Sequence, residues 1–423
     1  MAATRSASWS PPADRLGVAL AAAGAVLVFG SAWGALHLHT YAHYQIRDTP
    51  VYQEYGEAMA RGEVPYRDFS VEYPPGALPT FVLPALGSPS QHAFERRFDL
   101  LMLLCGIGAL AAMAAALRAL RAEPARVVAA LGFAALAPLA LGNVLLTRFD
   151  LWPAALTAAA LALLCAGRDR LSLGTLGLAV ATKVYPAVLA PLFLAHVWRR
   201  RGRREALVCA GVLAGVVVIV FAPFVALSPG GVWDSFVEQA SRPLQIESLG
   251  SALLLAAHNL FGLGLTMESS HGSQNLAGSL PTTVGAVETA FQIGAVVALW
   301  GWFARRARSD ETLVVASAAA VCAFVALGKV LSPQFMIWLV PLVPLVGGRR
   351  GARVAAVLAA VLVLTQLWFP DHYWNIVYGF SPYESTLVLA RDLVLLGLLA
   401  ILLWPLREPA SLSPRARAPA RTT

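Results

Sequence analysis

Charge is what this chain has least of. Of its 423 residues, 58% are hydrophobic and only 13% are Asp, Glu, Lys or Arg, about half the charged share of an ordinary soluble protein. With a mean hydropathy of +0.64, a solvated globular domain is excluded. The apolar runs approach the roughly 20 residues that cross a hydrocarbon core. Lysine is nearly absent: Lys183 and Lys329 are the only two among 32 basic residues. Cysteine is scarce as well. Cys105, Cys165, Cys209 and Cys322 all fall inside apolar runs, so no disulfide framework is implied, and they read as small core residues. No Asp-x-Asp occurs, which removes the usual carboxylate clamp for a metal-bound sugar phosphate. His37, His39 and His43 are close together but straddle a span end without an acid pair. Neither a metal nor another cofactor is expected. The phosphate loop GxxxxGK[ST] is also missing, which argues against an ATP-driven pump.

What the chain does have is arginine in clusters. The net charge of +8 is carried between apolar runs, at Arg118/Arg121/Arg126, Arg168/Arg170, Arg199 to Arg204, Arg305/Arg306/Arg308 and Arg349/Arg350/Arg353. That is the positive-inside pattern of a polytopic membrane protein, not a nucleic-acid footprint. Spans are expected near 17–36, 99–118, 127–146, 151–167, 205–226, 284–304, 312–328, 334–347, 352–369 and 386–405. The first is long enough to be an anchor and not a cleaved signal.

Two segments need separate treatment. Run 171–198 lies between two Arg clusters, so it must enter and return. It breaks at Thr182-Lys183-Val184-Tyr185-Pro186, because proline interrupts the helical ladder and restrains the residue before it. Two short helices result, with Lys183 near the outer tip. Residues 249–263 are apolar but short, and a full crossing there would put Arg305, Arg306 and Arg308 outside. They read as a re-entrant or interfacial helix leading into a polar loop, 264–283. The predicted fold is all-α and polytopic, with about twelve crossings. A disordered cytoplasmic tail, 1–16, and a basic cytoplasmic tail, 407–423, flank a membrane domain, 17–406. The lipid bilayer is its first partner.

On this topology the loop 37–98, with five Arg against seven acids, faces outward together with the breaks at Lys183 and Lys329. Chemistry therefore collects on the ATP-poor side, where a lipid-carried substrate is expected in place of a nucleotide-activated one. Within the loop, Asp48 follows a membrane exit and Pro50 opens a short helix with Tyr52, Tyr55 and Met59 along one stripe. Asp48 either caps this helix or serves as a general base that takes a proton from a sugar hydroxyl. Prolines hold Asp68, Glu72 and Tyr73 on stiff extended turns. These groups suit a sugar, or fix the loop to the membrane surface.

Each lysine sits in an apolar segment, where a charge costs about 2.5–3.5 kcal/mol at mid-depth and usually has a use. Lys183 and Lys329 are candidates for a phosphate, against snorkelling to the headgroups. Arg148 is a phosphate candidate or a local partner of Asp150. Arg242 is a phosphate candidate or a surface charge. Gln245 and Glu247 lie in the polar part of an expected outer loop, 228–248, and could line a sugar or headgroup site. His258, in the short apolar helix, is either a satisfied buried histidine or a proton-transfer group.

Taken in order, Asp48 just past the first span, then Gly62-x-Val64-Pro65-Tyr66-x-Asp68-Phe69 and Glu72-Tyr73-Pro74-Pro75, resemble glycosyltransferase family 87. Ala181-Thr182-Lys183-Val184-Tyr185-Pro186 and Lys329-Val330-Leu331-Ser332-Pro333-Gln334-Phe335 look like its later recurring segments. The resemblance runs from about residue 40 to 345, and the order of the motifs is its specific part. It implies a GT-C fold and an inverting, mannosyl-type transfer from polyprenyl phosphate. Asp48 would be the base, Lys183 and less directly Lys329 would meet the donor phosphate, and the loop tyrosines would contact substrate. The expected enzyme is thus a plasma-membrane mannosyltransferase. It would act on the extracytoplasmic side, with a polyprenyl-phosphate sugar as donor and an envelope glycolipid or glycan as acceptor. The alternative is a transporter or lipid flippase. It is disfavoured because the polar groups crowd one face and no internal repeat is visible.

Overall fold

A backbone buried in lipid must satisfy its own N–H and C=O groups, and a helix does so within one segment. The computed structural model of the chain describes residues 13–42, 46–306 and 309–404. Most of the first expected tail, all of the second, His43 and Arg308 lie outside the described residues. The principal helices are α1 (Arg15–Ala35), α2 (Thr49–Ala60), α3 (Gln91–Ala119), α4 (Pro124–Leu141), α5 (Leu151–Cys165), α6 (Asp169–Thr182), α7 (Ala190–Arg201), α8 (Arg203–Leu227) and α9 (Pro229–Ser241). They continue as α10 (Leu249–Phe261), α11 (Ser279–Arg306), α12 (Asp310–Ala326), α13 (Gly348–Gln366), α14 (Tyr373–Gly379) and α15 (Pro382–Leu403).

Among the described residues, six helices, α1, α3, α4, α8, α11 and α15, are long and apolar enough to cross a membrane. This is fewer than the twelve crossings expected. The other apolar segments are shorter or broken, except α13, whose 19 residues carry three arginines near its start. Run 171–198 splits into α6 and α7 around a 3-10 turn at Tyr185–Leu189. Expected span 334–347 is a series of short turns through Pro333–Leu345. The segment α10 has 13 residues, too few at about 1.5 Å each for a full crossing.

The arginine clusters meet at one end of the bundle. Arg126 forks onto Glu311 at 2.6 and 2.9 Å and Arg170 onto Glu205 at 2.7 and 2.9 Å. Arg200 and Arg201 both pair with Asp169, and Arg199 donates to the Ala304 carbonyl. From this end α5 and α6, packed side by side, carry the chain to the opposite end. There Asp150 opens α5 and Lys183 closes α6.

At that opposite end two of the motifs touch. The Gly76 carbonyl, closing Glu72-Tyr73-Pro74-Pro75, accepts hydrogen bonds from Trp152 Nε1 at 3.2 Å and Thr182 Oγ1 at 3.3 Å. A β-carbon on Gly76 would stand 2.7 Å from the Ala181 carbonyl oxygen, so only glycine allows the approach. Behind this contact lies an aromatic cluster of Tyr52, Tyr73, Phe81 and Phe149, with Tyr52 stacked on Phe81 at 4.5 Å. Each such pair contributes about 0.5–1.5 kcal/mol beyond its burial.

Residues 228–248 and 264–283, expected as loops, are largely ordered structure. The first contains α9. The second forms a hairpin, β2 (Thr266–Ser270) and β3 (Ser273–Ala277), to which β1 (Leu244–Gln245) adds in the order β1-β3-β2, all antiparallel. The turn residues His271 and Gly272 have φ of 54° and 63°, the conformation that a two-residue hairpin turn needs.

Candidate active site

Two aspartates begin helices at the end opposite the arginine clusters, and neither caps its helix. Asp48 precedes α2 and Asp150 precedes α5, yet neither side chain makes a capping hydrogen bond. Each carboxylate is drawn to a cation. Asp48 Oδ1 meets Arg148 Nη1 at 2.9 Å, and Tyr52 OH reaches Asp48 Oδ2 at 3.4 Å. Asp150 Oδ1 accepts from Lys183 Nζ at 2.6 Å and from Trp338 Nε1 at 2.7 Å. The Lys183 ammonium also lies 4.7 Å from the Phe149 ring centroid and 5.1 Å from that of Trp338, a cation–π setting. Arg148 is therefore not the partner of Asp150. The two neighbouring residues pair outward, to different elements.

Asp48, Arg148 and Lys183 border a cavity of about 610 Å³. On its far side stand Arg242 and Lys329, which form no ion pair among the described residues. Lys329 Nζ donates to the Ala240 carbonyl at 3.0 Å, and Arg242 Nη1 reaches Gln239 Oε1 at 3.5 Å. The Arg242 Nε is buried without a hydrogen-bond partner. Glu72, half-buried on the cavity wall, has its carboxyl raised by burial, an effect that Arg242 opposes. Glu247 is almost wholly buried, and burial lifts it to about 7 against the pull of Arg391.

A family model described as glycosyltransferase family 87 matches residues 71–333, more than half of the chain. The chain belongs to glycosyltransferase family 87. No curated protein matches it. Membership makes this a membrane glycosyltransferase, with a sugar donor, an acceptor and the bilayer as partners. The family match is shorter than the expected 40–345. It takes in Arg148, Lys183, Arg242 and Lys329, and begins after Asp48.

Within this family 87 chain, the cavity gathers Asp48, Glu72, Tyr73, Arg148, Lys183, Arg242, Gln245, Glu247 and Lys329 on its walls. Three residues singled out in the sequence are elsewhere. Tyr52 is 1% exposed and stands behind Asp48, off the cavity wall. Asp68 pairs with Arg67 at 2.8 Å on the surface, and that pair with the Val64 N–H holds it down to about 2. His258 hydrogen-bonds the Leu263 carbonyl through Nδ1 at 2.6 Å and packs edge-on to Phe380. It closes the end of its own helix and does not line the cavity. Sequence reasoning set Asp150 beside Arg148 and not Lys183, and passed over Trp338 and Tyr373, which line the cavity. Asp150, immediately before an apolar helix and two residues from Arg148, carried a legible signal. The two aromatics, inside apolar runs, carried none. Among the described residues, no group of three His, Cys, Asp or Glu is placed to hold a metal ion.

Proposed function

We propose that this protein transfers mannose, with inversion, from polyprenyl phosphate to a hydroxyl of an envelope glycolipid or glycan. In this reading the cavity opens on the extracytoplasmic side of the plasma membrane, the chain crosses about twelve times, and the arginine-rich end is cytoplasmic. One observation carries it: in a family 87 chain, Asp48 shares a single cavity with four cations, Arg148, Lys183, Arg242 and Lys329.

The acceptor hydroxyl gives its proton to Asp48 while its oxygen attacks the anomeric carbon. The bond from that carbon to the phosphate oxygen breaks, and the electron pair leaves with polyprenyl phosphate. Arg148 holds Oδ1, which orients Asp48 and presents Oδ2 to the acceptor. Lys183 and Arg148 reach the cavity already neutralised by Asp150 and Asp48. Arg242 and Lys329 form no ion pair among the described residues, and the leaving phosphate binds there. Fixed charge aimed at a developing anion is commonly a large part of rate enhancement. No metal is required in this scheme.

Purified protein incubated with radiolabelled polyprenyl-phosphate mannose and envelope lipid extract is expected to form a new glycolipid, resolved by chromatography. Asp48→Asn is expected to abolish transfer while still binding the donor. Wild-type turnover in that variant would remove Asp48 as the base. Lipid or sugar movement across liposomes without a glycosidic product would instead favour a transporter or flippase.

A further inference from the structure

We infer that Gln245 and Glu247 form the subsite that reads the hydroxyls of the transferred sugar, beside a phosphate held at Arg242 and Lys329. The inference rests on the transferase reading above and assigns the donor's sugar to one edge of the cavity.

Gln245 ends strand β1, and Glu247 lies in the turn that follows, which the Ser248 N–H closes onto the Gln245 carbonyl at 2.9 Å. Leu244 and Ile246 are 2% and 0% exposed and belong to the apolar core, whereas Gln245 and Glu247 line the cavity. The strand is clamped on both edges. Gln245 N–H donates to the Lys329 carbonyl at 2.9 Å, and Ile246 N–H donates to the Gln274 carbonyl at 3.0 Å. The first of these bonds sets Gln245 beside Lys329, and Arg242 and Glu247 line the same cavity.

Both side chains are more than nine-tenths buried, at 4% and 2% exposure. Each has a buried oxygen without a partner, Oε1 of Gln245 and Oε2 of Glu247. A buried acceptor left unpaired costs about 1–3 kcal/mol, so two of them on one wall mark a place completed by a ligand's donors. Neighbouring hydroxyls of a sugar are donors of this kind, and the anomeric phosphate next to them would meet Arg242 and Lys329.

Glu247 is also held from behind. Arg391, fully buried on α15, donates from Nη2 to the Glu247 carbonyl at 2.7 Å. It pairs with Asp392 at 2.6 Å and lies 5.5 Å from the Trp368 ring. The Glu247 carboxyl feels the charge of Arg391 and accepts from the Gln245 side chain, which leaves its Oε2 as the oxygen without a partner. The other titratable groups facing Glu247 are Arg242 on its own segment and Tyr373 across the cavity. Its raised affinity for a proton makes this carboxyl both a donor and an acceptor towards hydroxyls.

Trp338 and Trp374 line the same cavity, so tryptophan fluorescence of the purified full-length protein can report binding. The probes are polyprenyl-phosphate mannose and bare polyprenyl phosphate. Glu247→Ala and Gln245→Ala are each expected to lose about tenfold or more in affinity for the mannose-bearing lipid. Both should bind the bare lipid as wild type does. Glu247→Gln should retain most of the preference, whereas Arg242→Ala and Lys329→Ala should weaken both lipids. If wild-type protein forms product and the alanine variants still distinguish the two lipids as it does, the subsite is overturned and the transferase reading stands. If the wild-type protein binds neither lipid and forms no product, both fall. Should the alanine variants not fold, wild type is titrated with donors lacking single sugar hydroxyls. Equal affinity for every deoxy donor would then overturn the subsite.

Discussion

Asp48 and Asp150 show how much a residue's neighbours decide. A capping side chain stabilises a helix by about 0.5–2 kcal/mol, and both aspartates forgo that contact for a cation. Lys183 and Asp150 are 16% and 1% exposed at their side chains. Breaking a buried pair by removing one partner costs about 3–5 kcal/mol. Lys183→Met is therefore expected to lower the thermal midpoint in detergent sharply, and Asp150→Asn with Lys183→Met to recover most of the loss. Lys329→Ala, which removes no ion pair, should leave the midpoint close to wild type. Glu247 supplies a pH signature. Its carboxyl is raised from 4.5 to about 7, so the folded protein holds this proton more tightly than the unfolded chain. Its contribution to stability is full below the ordinary value and falls as pH rises from 4.5 to about 7. Glu247→Gln should lack that fall, so wild type should lose midpoint relative to the variant across this window. Parallel profiles would show that Glu247 does not change its proton affinity on folding.

At the scale of elements, prolines and glycines were the most legible features. Pro50 begins α2, the break at Thr182-Lys183 ends α6, and Gly62, with φ of 90°, lies just past the end of α2. What periodicity did not reveal was the hairpin. Its strands, TMESS and SQNLA, are polar and lack the alternating β-branched residues that mark a strand. They are held by pairing with each other and, through β3, with β1. Gly76 links two elements directly. Adding a methyl group there forces the Ala181 carbonyl aside, an overpacking cost of about 1–3 kcal/mol. Gly76→Ala is expected to lower the midpoint and reduce kcat, because Lys183 lies two residues beyond Ala181. Wild-type kcat in that variant would mean that this contact does not position the site.

For the whole molecule, the arginine clusters and the cavity lie at opposite ends of the same helices. The cavity walls come from segments near residues 48, 72, 148, 183, 242 and 329, so the site exists only when those segments are assembled. Sidedness can be tested in spheroplasts with single cysteines, because the four native thiols are buried. Cysteine at Glu268, on the hairpin, should react with an impermeant maleimide added outside. Cysteine at Arg204, in the first turn of α8, should react only after permeabilisation. The reverse pattern would place the cavity in the cytoplasm and remove the polyprenyl-phosphate reading.

The sequence by itself determined the membrane character, the helices, their breaks and most of the polar groups on the cavity wall. Each of these follows from local quantities: hydropathy over about 20 residues, proline's fixed φ, and the cost of charge in an apolar run. Only the tertiary structure decided the partners. Arg148 faces Asp48 and not its neighbour Asp150, Lys183 is committed to Asp150, and Arg242 and Lys329 form no ion pair among the described residues. His258 and Asp68 were excluded from the cavity in the same way. Pairing depends on distances between segments far apart in the chain, and those distances are set by packing, which no local pattern records.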